Sequence, residues 1–91
     1  MLKIDRVVAV TAGTTAQSVQ VHGLACLIQN NSESAVVYFK EKSEDGVAAT
    51  ASNGFAVGPG KTLEVPLVAR EVSIVSDTAS TAVRVLILDL G

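Results

Sequence analysis

Three clusters carry side chains able to do chemistry. Gly58-Pro59-Gly60-Lys61-Thr62 ends in the Gly-Lys-Thr of a phosphate-binding loop, whose backbone N–H groups cradle phosphates. That motif needs a glycine at position 55, where Phe55 stands; Gly54 is one residue early. It also needs a following helix to aim its N-terminal amides at the anion. Here Leu63-Glu64-Val65-Pro66 follows, alternating as a strand does. Nucleotide binding is not expected.

The second cluster is His22 with Cys26, the only histidine and the only cysteine. A zinc site needs three or four ligands, and four residues along a strand lie about 13 Å apart. A hydrolase triad or dyad would have to use this same His22, and no strand-to-helix nucleophile elbow occurs. Cys26 sits in the apolar run Gly23-Leu24-Ala25-Cys26-Leu27-Ile28, the setting of a small buried hydrophobe. The third cluster, Glu41, Glu44 and Asp45, could support acid–base work or calcium binding. Lys40 and Lys42 are interleaved with it, the pattern of a solvated loop. Asn30-Asn31-Ser32 fits the glycosylation acceptor pattern, which matters only in a secreted chain. The expectation is therefore a chain with no catalytic, cofactor-binding or metal-ligating residues.

Extended elements position these groups. Asn53 to Leu67 reads as turn, short strand, turn, strand. Asn53-Gly54 tolerates positive φ, and Gly58-Pro59-Gly60 joins a fixed φ to two permissive neighbours. Phe55–Val57 and the strand that follows read as a hairpin. Before it lie a strand at Leu2–Val10, another at Ser18–His22, a third over Leu24–Gln29 and a fourth over Ala35–Lys40. Gly23, inside an extended pattern, marks a bulge or sharp bend. Asn30–Ser34 and Glu41–Gly46 are loops, and Val47–Ser52 reads as a weak strand. The strand after Thr62 extends to about Ala69, Val72–Val75 forms another, and Val83–Leu88 the last. Seven to eight short strands and no helix give an all-β single domain over residues 1–91: a compact antiparallel sandwich of jelly-roll type, or a small barrel.

Composition narrows the partners. Hydrophobic residues make up 48% of 91 residues and charged ones 18%, yet only Tyr38, Phe39 and Phe55 are aromatic. So small a domain cannot hide that much apolar surface, and part of it is expected to face another subunit. The net charge is −2 with scattered basic residues, so nucleic acid is not an expected partner. No apolar run approaches a membrane span, and the charged N-terminus does not read as a signal peptide. In the last strand, Leu86, Leu88 and Leu90 share one face and Val83, Val85 and Ile87 the other. Such a strand fits either a central position or a subunit contact. With Val8 and Val10 of the first strand, Leu86, Leu88 and Leu90 are the candidate interface residues.

The succession Ile28-Gln29-Asn30-Asn31-Ser32 to Tyr38, then Asn53 to Leu63, then Val72-Ser73-Ile74-Val75-Ser76, is similar to small virion proteins of tailed bacteriophages. The resemblance spans roughly residues 18–90 and rests on turn-forming motifs. It implies a structural virion protein, made in the host cytoplasm, most simply a head decoration (cement) protein that binds across coat subunits. It also implies a homo-oligomer, with a trimer as the first expectation, and the major capsid protein or another virion protein as partner. The alternative is a carbohydrate- or receptor-binding module at a tail, which three aromatic residues serve poorly.

Overall fold

The computed structural model describes residues 2–42, 46–66 and 71–90. Among these the chain forms eight strands: β1 Leu2–Ala12, β2 Gln17–Gln20, β3 Ala25–Asn30, β4 Val37–Glu41, β5 Phe55–Val57, β6 Thr62–Pro66, β7 Glu71–Ser76 and β8 Thr81–Leu90. One sheet has the order β1-β8-β3-β6 and the other β2-β7-β4-β5. Every pairing is antiparallel. β1 pairs with β8, β2 with β7, β3 with β6 and β4 with β5, which is a nested ribbon wound into a jelly roll. The shortest dimension of the molecule is 16 Å, as two stacked layers require.

Alternation fixes which residues go inside. Val83, Val85 and Ile87 of β8, Cys26 and Ile28 of β3, and Phe39 of β4 turn inward and join one apolar cluster. Asn30 continues the inward alternation of β3 and is fully buried. Its Nδ2 donates to the carbonyls of Ala35 and Val57 at 2.9 Å each. Its Oδ1 accepts from Ser32 N–H at 3.0 Å and from Ser32 Oγ at 2.7 Å. One buried amide thus ties the loop after β3 to the end of β5. The glycosylation pattern at this position is spent on the interior.

Two expectations are corrected. Phe55–Val57 and Thr62–Pro66 do not form a hairpin: β5 pairs with β4 in one sheet and β6 with β3 in the other. The turn at Gly58–Lys61, closed by Lys61 N–H to the Gly58 carbonyl at 3.0 Å with Gly60 at φ +69°, carries the chain between layers. Nor is 47–52 a strand. Asn53 Oδ1 accepts from Thr50 N–H at 2.6 Å, Asn53 Nδ2 donates to the Ala48 carbonyl, and Gly54 N–H donates to the Thr50 carbonyl. Asx-type bonding of this kind satisfies backbone groups locally and competes with a ladder. The expected end of the sixth strand, Leu67–Ala69, lies outside the described residues, as do Glu44 and Asp45.

Gly23 marks a bend at Gly23–Leu24, and its main reason is proximity. A Cβ there would stand 2.6 Å from the Leu88 carbonyl oxygen and 2.7 Å from Ile87 Cγ2. At the other end, the β7–β8 turn holds Ser80 at φ +58°. Thr81 Oγ1 donates to the Thr78 carbonyl at 2.7 Å, so in the 2.7 Å pair of Ser76 Oγ and Thr81 Oγ1 it is Ser76 that donates.

Candidate interaction surface

The chemistry-bearing residues do not converge. His22 is exposed between β2 and β3, whereas Cys26 is fully buried in β3. Burial, with a smaller contribution from the charge of Glu41, pushes the Cys26 thiol up to about 11, so it stays protonated and packs as a hydrophobe. Strand β6 follows the Gly58–Lys61 turn directly. Among the described residues no group of three or more His, Cys, Asp or Glu could hold a metal ion. No helix among them is long and apolar enough to cross a membrane.

The outer face of the β1-β8-β3-β6 sheet is different. Register places Val7, Leu86, Leu27 and Glu64 side by side across the four strands. The next row is Ile4, Leu88, Ala25 and Pro66, and beyond it Leu2 stands opposite Leu90. Above these rows run Ala9, Arg84, Gln29 and Thr62. An apolar field therefore occupies one half of this face, with Arg84, Gln29 and Glu64 along its border. Four of its side chains are largely in solvent: Leu2 43%, Ile4 54%, Val7 52% and Leu90 66%. Apolar centre and polar rim are the anatomy of a protein–protein contact.

A β-bulge builds this field. The register between β1 and β8 shifts between Ile4 and Arg6, leaving Asp5 without a directly opposed partner. Strict alternation would put Ile4 on the side of Val8 and Val10. One extra residue reverses the parity, so Leu2, Ile4 and Val7 all point outward. Of the candidate interface residues, Leu86, Leu88 and Leu90 lie on the outer face, with Leu88 already 8% exposed under its neighbours. Val10 belongs to the core and Val8 packs against it. Leu2, Ile4 and Val7 were missed by counting in twos. Their signal was the adjacent pair Asp5-Arg6, which breaks the alternation.

Hollows open elsewhere on the described surface. A groove of about 520 Å³ runs between β1 and β2, lined by Arg6, Val8–Thr11 and Gln17–Gln20. Another of about 470 Å³ opens on the opposite sheet, lined by Tyr38, Thr50 and Asp77 together with Ala48, Ala49 and Ala51. Comparison of the chain with family models, curated proteins and solved structures gave no match in any of the three.

Proposed function

We propose that this chain is a structural protein that acts through contact, with the apolar half of the β1-β8-β3-β6 face seated on another protein. The observation that carries the reading is that field, with exposed Leu2, Ile4, Val7 and Leu90 gathered by the bulge. The resemblance to small tailed-phage virion proteins supplies the setting: a head decoration protein that stabilises the shell by covering a junction between coat subunits. In that setting copies of the chain gather around a shell axis, as trimers on the resemblance. Jelly rolls serve in viral capsid and lectin domains alike, so the fold agrees with this reading without selecting it.

The test is the double variant Ile4→Lys, Leu90→Lys. Both side chains are more than half exposed, so the folded chain should lose under about 1 kcal/mol. Binding to empty shells of the virion, read by co-sedimentation, should weaken at least about thirtyfold, since both sites lie in the apolar centre. Unchanged binding sinks the proposal.

A second reading has one observation in its favour. The Tyr38 hollow joins an aromatic ring to Asp77 and Thr50, the elements of a sugar subsite. Reproducible glycan-array binding that a Tyr38→Ala variant loses would favour a carbohydrate-binding module.

A further inference from the structure

Backbone direction along β8 determines what β1 leaves unpaired. Leu24 N–H donates to the Leu88 carbonyl and Asn31 N–H to the Ala82 carbonyl, both at 2.9 Å, so even-numbered residues of β8 turn their peptide groups toward β3. Val83 and Val85 therefore face β1 and bond Val10 and Val8, their partners in register. What remains at Val7, Ala9 and Thr11 points away from the sheet. The Thr11 carbonyl confirms this parity by accepting Gln17 Nε2 at 2.7 Å from outside the ladder.

An open edge is normally blunted by charge, proline or a bulge. β1 carries such protection only in its first half, where Lys3, Asp5 and Arg6 surround the bulge. Arg6 is further engaged with the Gln20 carbonyl of β2 at 3.2 Å. From Val7 to Ala12 the edge has no charged residue and no proline.

We propose that a second copy of this chain adds to this edge, β1 against β1 antiparallel, with the two-fold axis through Ala9. The register is chosen by complementarity. Ala9 faces Ala9 at the axis, where the outward side chain is small, and Val7 faces Thr11 on either side, the Thr11 carbonyl exchanging its bond from Gln17 Nε2 for one from the Val7 N–H of the second copy. On the inner side the same register sets Val8 opposite Val10 twice, over the groove between β1 and β2 that these valines line. A step toward the N-terminus would set Val10 against Arg6, and a step the other way would set Val7 against Gly13, beyond the end of β1. The contact is isologous and closes at two copies, joining two four-stranded sheets into one of eight. It also brings both apolar fields onto one continuous face. The inference rests on the proposed function only in that larger face. It gives dimers where the resemblance implies trimers.

The experiment pairs two variants. Ala9→Pro removes an N–H that takes no part in the β1–β8 ladder, on an edge strand where proline is tolerated. It should keep the native far-ultraviolet spectrum while sedimentation velocity moves from dimer to monomer. Ala9→Cys should form a disulfide-linked dimer under mild oxidant at least about tenfold faster than Thr62→Cys on the opposite edge, by its higher effective concentration. Buried Cys26 gives no background. A wild-type chain that is monomeric or trimeric overturns the inference. So does equal cross-linking at the two edges, which also decides the matter should Ala9→Pro fail to fold. A strand from a different protein as occupant would appear as a monomeric wild type. If Ala9→Pro still binds shells while Ile4→Lys, Leu90→Lys does not, the outer-face reading stands on its own.

Discussion

Replacing Asn30 with leucine is expected to destabilise the chain by about 3–4 kcal/mol. The shape is nearly kept, but the Ala35 and Val57 carbonyls lose the amide that satisfies them, and the Ser32 N–H and hydroxyl lose their acceptor. Each buried group left unpaired costs about 1–3 kcal/mol; Ser32 Oγ still reaches the Ala35 carbonyl at 3.1 Å and softens one of them. In a domain of this size that is a fall in melting temperature of about 15–25 °C. Asn30→Asp separates the two halves of the amide. It keeps the acceptor for Ser32 but loses both donors and buries a charge against carbonyls. Burial raises that carboxyl's pKa in the fold, so the variant should recover stability relative to the parent as pH falls and the acid becomes a donor. A loss below about 1 kcal/mol for the leucine variant would show that Asn30 does not hold the loop.

Phe39→Ala should cost about 3–5 kcal/mol, the range for a buried phenylalanine. Phe39 is the largest of the fully buried side chains, inward on β4, opposite Ile74 on one side and Phe55 on the other. Its ring centroid lies 5.7 Å from that of Phe55 at 31°. Phe55 is 65% exposed, so Phe55→Ala should cost only about 1 kcal/mol, the worth of the ring pair. Chemical denaturation of both variants checks the contrast; equal losses would mean that the ring pair, not the interior, holds this corner.

Much of the fold was legible in the sequence because period-two alternation and turn residues are strong local signals. Asn30–Ser34 and Ser76–Thr81 punctuate the chain at strand ends, and Val83, Val85 and Ile87 announce an inward face. What was not legible depended on partners distant in sequence. The Gly58-Pro59-Gly60 turn looks the same whether the next strand returns to its own sheet or crosses to the other. Asn30 reads as loop because it is polar, though its parity with Cys26 and Ile28 places it inside. The outer field was half legible. Leu86, Leu88 and Leu90 follow from simple alternation, but Leu2, Ile4 and Val7 join them only through the bulge at Asp5, and Val8 and Val10 move inward by the same shift. The alanines of 47–52 carry too little β preference to outweigh the side-chain bonds of Thr50 and Asn53.

The nested pairing has a kinetic consequence. β4 and β5 are the innermost couple, and each later couple closes a wider span until Leu2 meets Leu90. Chain entropy makes each wide closure costly unless the narrower ones have already drawn its ends together. Assembly should run outward from residues 37–57, in milliseconds to seconds by stopped-flow refolding, like other sandwiches rich in remote contacts. On the ribosome β1 has no mate until residues 81–90 have been made, so the first strand synthesised is among the last to be paired.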